Sequence, residues 1–436
     1  MKILKEKHSF IVNLFLFLIA NTIIFRGLCT LIIICFFVYC LFSVRDMTFP
    51  KKATYYILII ATPLLLEIAF FWNNDDFRLG IKSLEKSISL LLFPIFIIGN
   101  YKCIKFYKLL KAYSITTTIL IFIFLVRYYF VFNQYFMSFY YGMNMWQMGY
   151  HFSNTIGIHA PALNMHLAFV SICNLYFLLL NFREGKSFLI QLLYLFIFLF
   201  SFFFLLIINT RIALIVSILG YLIIVISYFL KSQNVFQITK KIFVVFTLIL
   251  SIFIVFIKNN SFMKEKYNRM IFDKFEMVGK LDQIERPEVE IYSSLVTRLT
   301  IWKETIDLAK NHLIFGVGSS DSKKELFKYY EKTNQKFLTK YQLPVHNQYL
   351  DFLLKFGVLG LIGVLLYIGY IAYVGVKLKN VIVISFFILF SICNFTDDFL
   401  IRFDGIVFSG FWISLFTSLY LQTTTIKPIL KFTHLF

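Results

Sequence analysis

The sequence predicts an all-α, polytopic membrane protein with about twelve transmembrane helices and one large helical loop in water. Hydrophobic residues make up 59% of the 436 residues, and the mean hydropathy is +0.77. Soluble domains are typically only about half apolar. Long apolar runs follow one another along the chain, and one polar segment at 258–345 interrupts them. We therefore expect a membrane domain with a single sizeable segment outside it.

A helix needs about 20 apolar residues to cross about 30 Å of hydrocarbon. The predicted domain organisation is about nine spans within 1–257, the external helical loop at 258–345 and three last spans within 346–436. No small-residue cleavage site follows the first run, so we interpret it as a span and not as a signal peptide. The runs lie at 9–25, 27–43, 54–72, 87–100, 112–132, 158–181, 188–209, 212–230, 242–257, 348–376, 381–395 and 406–422.

The net charge of +20 follows a membrane pattern. If the N-terminus is cytoplasmic, nineteen Lys and Arg lie on inner segments beside only Glu6, Asp46 and Glu184. Cytoplasmic segments carry such an excess in membrane proteins, so this bias explains most of the charge and gives nucleic-acid binding no support. The same assignment puts both termini inside and 258–345 outside. The short outer loops carry Arg26, Arg78, Lys82, Lys86, Arg211 and Arg402.

The sequence predicts neither a metal nor a cofactor. Five of the six cysteines fall within apolar runs and Cys103 lies on the predicted cytoplasmic side, so a disulfide framework or zinc site is not indicated. The sequence contains no nucleotide-binding loop and no acidic cluster with metal-ligand spacing. We expect chemistry that needs no metal.

The first clear pattern in the external loop predicts a helix at 294–310. Apolar residues recur every three to four positions, which is typical of an amphipathic helix, and the helix is expected to end near Asn311. The predicted buried face consists of Leu295, Leu299, Trp302, Ile306 and Ala309, with Lys303, Glu304, Asp307 and Lys310 opposite.

A turn and a second helix follow. Gly316 and Gly318 allow a tight turn, because glycine adopts backbone conformations that other residues avoid. Ser322 and Glu325 have the spacing of a capping box, which predicts the start of the second helix.

Several short motifs follow one another along the chain. They are N-T-R-I-A at 209–213, R-x-x-x-W at Arg298 and Trp302, HLIFGVG at 312–318, H-N-x-Y-L at 346–350 and G-x-x-G at Gly357 and Gly360. Their order resembles that of the O-antigen ligase and polymerase superfamily. The resemblance implies a glycosyltransferase of the bacterial inner membrane. Such an enzyme takes a glycan from undecaprenyl diphosphate on the periplasmic face and needs no cofactor. It also implies that 258–345 is periplasmic.

Two arginines are candidates for binding the donor diphosphate, Arg211 on an outer turn and Arg298 on the loop helix. A guanidinium is planar, permanently charged and rich in donors, which suits phosphate. A fold that brings the loop helix down could clamp the diphosphate between them. The alternatives are a snorkelling arginine at a helix end for Arg211, and a solvated face or a stack on Trp302 for Arg298.

His346 is the candidate general base, because a sugar hydroxyl must lose its proton as it attacks and histidine titrates near neutral pH. The alternative is a histidine that is hydrogen-bonded at a helix start. Asn347, Tyr349 and Asp351 follow closely enough to orient the imidazole or a substrate, although Tyr349 also fits an interfacial anchor.

Other ionisable residues within predicted spans have no assigned role. Intramembrane charges are costly and tend to be either paired or functional. Structural pairing is the favoured interpretation for Glu67, Arg127, His159 and His166. Arg78, Lys82 and Lys86 could meet substrate phosphate or anionic headgroups of membrane lipids.

Three functions follow from the sequence. The first is an O-antigen ligase that joins the lipid-linked glycan to lipid A-core, which about twelve spans favour. The second is a polymerase that extends a growing glycan on the same carrier. The third is a lipid-glycan transporter, which two similar halves and polar residues at the midplane would indicate. This chain instead concentrates its polar residues in one late outer loop.

Overall fold

The computed structural model of the chain describes residues 2–140, 145–230, 275–285 and 295–425, with single positions at 247, 251, 254, 255, 258, 287 and 291. Every regular element in these residues is a helix, which confirms the predicted all-α class. The predicted ninth span, 242–257, lies mostly outside the described residues.

The described α-helices before residue 231 are α1 (Lys2–Thr22), α2 (Arg26–Phe42), α3 (Ala53–Ile60), α4 (Thr62–Ala69), α5 (Phe77–Ser87), α6 (Ser89–Gly99), α7 (Phe106–Val131), α8 (Asn133–Tyr140), α9 (Met145–Ile156), α10 (Ala160–Arg183), α11 (Phe188–Ile208) and α12 (Arg211–Leu230). Those after residue 294 are α13 (Leu295–Lys310), α14 (Ser322–Lys332), α15 (Lys336–Tyr341), α16 (Gln348–Leu378), α17 (Val381–Thr396) and α18 (Phe403–Thr425).

Among the described helices, six are long and apolar enough to cross a membrane: α7, α10, α11, α12, α16 and α18. Two further apolar helices, α2 and α17, are shorter. The chain is thus a multi-pass membrane protein, and the number of about twelve spans stays a prediction.

Two segments depart from the predicted run boundaries. The apolar run at 54–72 forms α3 and α4, with a break at Ala61 and with Pro63 in the first turn of α4, where a missing N–H does no harm. Between the predicted runs at 112–132 and 158–181, residues 133–140 form α8 and residues 145–156 form α9. Gly149 lets α9 pack against the end of α11, because a Cβ there would lie 2.6 Å from the carbonyl oxygens of Ile207 and Ile208.

Helices α10 and α18 lie at the centre of the membrane part. Both are largely buried, whereas α11 and α12 expose more of their surface. Phe169 on α10 contacts Trp412 on α18 and Phe386 on α17, each at 5.0 Å between ring centroids. Such aromatic contacts fill the interior with large apolar groups. The external ends of α10, α12, α17 and α18 therefore lie beside one another around this core.

Helices α13, α14 and α15 and the turns between them lie within the predicted external loop and are here called the external module. The module has its own hydrophobic core, to which Ile301, Tyr330, Leu338 and Leu354 contribute. Helix α13 forms as predicted, but its predicted buried face is only partly correct, since Ala309 is buried and Leu299 and Trp302 are half-buried. Leu295 and Ile306 are exposed, whereas Glu304 is 5% exposed. The face of α13 that is buried in the module instead carries the threonines together with Val296 and Ile301. The buried residues are Val296, Thr297, Thr300, Ile301, Glu304, Thr305, Leu308 and Ala309.

The predicted capping box at the second loop helix is also wrong. Helix α14 begins at Ser322, and its N-cap is Asp321, whose side chain makes no capping bond. The Asp321 carboxylate instead accepts from the backbone N–H of Asp75 at 2.8 Å and from the hydroxyl of Ser320 at 2.6 Å. The side chain of Asp321 therefore binds the α4–α5 loop instead of capping α14. The sequence alone does not indicate that this loop lies beside Asp321.

The turn at 312–318 pairs with a kink in α16. Gly357 has φ 65° and ψ −154°, so the helix is interrupted there, and the N–H of Val358 donates to the carbonyl of Leu313 at 2.7 Å. The freed carbonyl of Leu354 accepts from Val317 at 2.9 Å. A Cβ at Gly316 would lie 2.3 Å from the backbone of Lys355. These main-chain bonds fix the external module against the start of α16.

Candidate active site

His346 lies at the junction between the external module and α16. Its backbone adopts the left-handed conformation, with φ 49°. On one side, the indole N–H of Trp302 donates to the carbonyl of Val345 at 3.1 Å. On the other side, Asn347 caps α16 and accepts from the N–H groups of Tyr349 and Leu350 at 3.0 and 3.1 Å. Both neighbours of His346 are therefore held, which fixes the direction of the imidazole.

The partner of the imidazole is Asp397, at the end of α17. The distance from His346 Nδ1 to Asp397 Oδ1 is 3.4 Å, and the same oxygen accepts from the backbone N–H of Asp398 at 2.9 Å. His346 is half-buried, whereas Asp397 and Asp398 are 7% and 1% exposed. A carboxylate at Nδ1 favours the tautomer with its proton on that nitrogen, which leaves Nε2 as the basic atom.

The two adjacent carboxyl groups differ in charge. Burial alone would raise the pKa of Asp397, but hydrogen bonds with His346 and Asp398 outweigh it and hold this pKa well below its ordinary range. Burial and the neighbouring Asp397 raise the pKa of Asp398 far above its ordinary value. Of the two carboxyl groups, Asp397 therefore holds its negative charge more readily, and it is the one that faces the imidazole.

Arg211 and Arg298 both lie within electrostatic reach of one phenol, that of Tyr150 in α9. Burial and the charge of Asp397 raise the pKa of Tyr150, while the charges of Arg298, Arg211 and Arg402 lower it. These side chains come from four separate segments of the chain, and all act on the same hydroxyl. The structure therefore brings the two sequence-predicted arginines together, next to the carboxylate that faces His346.

Arg298 is half-buried on α13, and its surroundings are poor in water. Burial lowers its pKa, whereas the charges of Asp397 and Tyr150 raise it. A guanidinium remains protonated under such conditions. A charge in a partly dehydrated site acts more strongly on a nearby anion than a charge in bulk water does.

The three residues predicted to orient the imidazole have other partners. Asn347 caps the helix, and the Tyr349 hydroxyl donates to the carbonyl of Ser391 at 3.1 Å. Asp351 accepts from the ammonium of Lys355 at 2.6 Å, with both groups buried. The position beside the ring belongs to Asp397, which the sequence did not single out because it is far from His346 in the chain.

Two further residues reach this centre. His159 precedes α10, with its ring 6.4 Å from that of Tyr150, and burial together with the charge of Arg402 lowers its pKa to about 4. Its Nδ1 is buried without a hydrogen-bond partner among the described residues. Arg402, between α17 and α18, acts on both His159 and Tyr150. The sequence contains one indication that Arg402 has a role, since it is an arginine on a predicted outer loop, where positive charge is disfavoured.

The other intramembrane candidates have structural contacts. Glu67 accepts from the hydroxyl of Ser83 at 2.7 Å. Arg127 donates to the carbonyl of Thr155 at 3.4 Å, which ties α7 to the end of α9. The ring of His166 packs 4.0 Å from that of Phe408, below the centre. His159 precedes α10, whereas His166 lies within that helix.

His346, Asp397 and Asp398 also form a donor set of a kind that binds divalent cations. One ligand atom from each lies within 4.8 Å of the others. Imidazole and carboxylate groups suit zinc and related ions. The expectation of metal-independent chemistry stays a prediction that requires a direct test.

Comparison with known proteins agrees with these motifs. The family model described as O-Antigen ligase matches residues 196–365, a range that contains Arg211, Arg298, His346 and the Gly357 kink. Among curated proteins, none matches the chain. The domain match over 196–365 supports the O-antigen ligase superfamily and indicates a glycosyltransferase-like enzyme class, in agreement with the ordered motifs.

Proposed function

We propose that the chain is an O-antigen ligase that transfers a glycan from undecaprenyl diphosphate to lipid A-core at the periplasmic face of the bacterial inner membrane. The observation that carries the proposal is the convergence of Arg211, Arg298 and the His346–Asp397 pair around Tyr150. This arrangement offers positive charge for a diphosphate and a base for a hydroxyl within one centre.

In the proposed reaction, the diphosphate of the donor lies between Arg211 and Arg298. Each guanidinium offers several N–H donors in a plane, which suits the oxygens of phosphate groups. As the bond from the anomeric carbon to the diphosphate oxygen breaks, negative charge grows on the leaving group. Two preformed positive charges stabilise this charge more in the transition state than in the ground state.

His346 then serves the acceptor. Its Nε2 takes the proton from the attacking hydroxyl while the oxygen of that hydroxyl bonds to the anomeric carbon. The carboxylate of Asp397 stabilises the imidazolium that results, as its position beside Nδ1 requires. The products are the new glycoside and undecaprenyl diphosphate, and attack opposite the leaving group inverts the anomeric centre. No metal takes part in this scheme.

The alternative is a polymerase that passes the glycan to a growing glycan on the same carrier. Donor chemistry is common to both functions, so the acceptor decides between them. Purified protein in nanodiscs, given the lipid-linked donor and either lipid A-core or a second lipid-linked glycan, is the test. Transfer to lipid A-core supports the ligase, and transfer to the lipid-linked glycan alone supports the polymerase.

The same assay tests the base. His346→Ala is expected to reduce transfer by at least about a hundredfold, because positioned proton transfer is typically worth about 10²–10⁴ in rate. Donor binding and thermal stability should be retained. His312→Ala is the matched control, since His312 is an exposed histidine of the same module. Normal turnover by His346→Ala, or a loss explained wholly by unfolding, would contradict the assignment.

A further inference from the structure

The short outer loops carry few basic residues, yet three of these, Arg26, Lys86 and Arg402, lie within electrostatic reach of one another or of Lys323 in the external loop. Positive charge is disfavoured on outer segments of membrane proteins, so its presence there calls for a reason. Arg26 begins α2, Lys86 lies in the last turn of α5, Lys323 in the first turn of α14, and Arg402 just before α18. The fold gathers these four residues from distant parts of the chain into one group, here called the outer cationic cluster.

The cluster is built by specific contacts between its elements. The guanidinium of Arg26 lies 5.5 Å from the ring centroid of Phe403, the neighbour of Arg402. The α4–α5 loop is bonded to the turn before α14, because Asn74 accepts from the N–H of Ser320 at 2.8 Å. This bond, with that between Asp75 and Asp321, holds the α4–α5 loop against the turn before α14.

The charges in the cluster act on one another. Partial burial, and then the charges of Lys323, Arg26 and Lys355, lower the pKa of Lys86, whereas Glu67 raises it. Arg26, Lys86 and Lys323 are exposed and Arg402 is half-buried. The cluster is thus open to the outside at three of its four residues.

The nearby carboxylates do not balance these charges. Asp404 lies within electrostatic reach of both Arg402 and Arg26. Glu67 is buried and bonded to Ser83, and its charge also acts on Lys355, which is itself paired with Asp351. Four cations therefore face three acidic groups, Asp404, Asp398 and Glu67, of which Glu67 is already engaged. Bringing like charges together costs free energy, and a bound anion would recover it.

We propose that Arg26, Lys86, Lys323 and Arg402 bind the phosphate groups of an anionic acceptor glycolipid. The inference rests on the proposed function and adds a place for the second substrate. Arg402 also acts on Tyr150 and His159, so the cluster adjoins the catalytic centre. An acceptor held there by its phosphates would present its sugar hydroxyl from the side of His346 that faces away from α13.

The test compares acceptors with and without phosphate. Transfer is measured in nanodiscs of zwitterionic lipid, with the same acceptor glycolipid before and after enzymatic removal of its phosphates. The variant is Arg26→Glu with Lys86→Glu. The control is Lys324→Glu with Lys332→Glu, which changes the net charge equally on exposed residues of α14. A milder variant, Lys86→Gln with Lys323→Gln, serves if charge reversal prevents folding.

For wild type and control, removal of the phosphates is expected to raise the acceptor KM at least about tenfold, as charge-assisted hydrogen bonds are lost. For the cluster variant, the two acceptors should have nearly equal KM values. A wild type indifferent to the phosphates, or a variant as sensitive as the wild type, would overturn the inference and leave the proposed function standing. Transfer to no acceptor at all would instead contradict the proposed function.

The same contacts could serve bulk anionic lipid, and a second arm separates this source. Adding phosphatidylglycerol to the nanodiscs should change the KM of both acceptors only slightly. If phosphatidylglycerol removes the difference between the cluster variant and the wild type even when the phosphorylated acceptor is saturating, the cluster binds membrane lipid. The inference then fails.

Discussion

The imidazole of His346 and the carboxylate of Asp397 face each other at 3.4 Å across 51 residues of sequence. Asp397 is a positioning residue in this interpretation, since it acts through the ring. Asp397→Asn should reduce turnover by at least about tenfold, because the amide cannot stabilise an imidazolium. Donor affinity should remain near the wild-type value. Loss of donor affinity along with turnover, or a loss explained wholly by unfolding, would assign Asp397 a structural role only.

Lysine should not replace either arginine of the donor site. Arg211→Lys and Arg298→Lys keep the charge but lose the planar pair of donors, so we expect each to raise the donor KM or lower turnover by about tenfold or more. Arg78→Lys, on the exposed face of α5, is the control and should leave both constants unchanged. Wild-type kinetics in both lysine variants would remove the clamp.

Both termini and the α2–α3 connection are expected to be cytoplasmic, with 258–345 periplasmic. The six native cysteines are first replaced, because Cys35 is exposed. Asn311→Cys and Thr48→Cys then place single thiols on exposed residues of the external module and of the α2–α3 connection. A membrane-impermeant reagent should label Asn311→Cys in intact spheroplasts, and Thr48→Cys only after permeabilisation. The reverse pattern would invert the topology.

Hydropathy predicted the helical class, because apolar runs determine membrane helices. Motif order singled out Arg211, Arg298 and His346 because they lie in local motifs, and their roles stay predictions. Asp397 and Tyr150 could not be found in this way, since their role depends on which helix ends meet in space. The prediction of the buried face of α13 was partly wrong for a related reason. Large apolar residues suggested one face, whereas packing buried Glu304 and the threonines on another.

Chelation tests the metal expectation directly. His346, Asp397 and Asp398 could bind a divalent cation, but the proposed chemistry assigns them to one proton and one imidazole. Turnover of purified protein in excess EDTA should therefore equal that without it. Adding zinc should inhibit, because zinc at Nε2 would remove the base. Loss of activity in EDTA that divalent cations restore would show that the three groups hold a metal.

The kink at Gly357 gives a test of the fold. Gly357→Ala places a side chain in a conformation that only glycine adopts readily, 2.3 Å from the carbonyl oxygen of Leu313. We expect a loss of about 2 kcal/mol or more in stability. Gly369→Ala in the same helix is the control, because a Cβ there has no neighbour within 4 Å. Thermal unfolding in detergent compares the two, and equal stability would contradict the strain.

The main-chain pairing between the 312–318 turn and the start of α16 has an evolutionary consequence. Backbone groups form these bonds, so most side chains around them are free to vary without changing how the external module is seated. The few positions with no such freedom are the glycines at the contact. Substitutions of other side chains can thus change the surface of the module while its attachment to α16, between Arg298 on α13 and His346, stays the same.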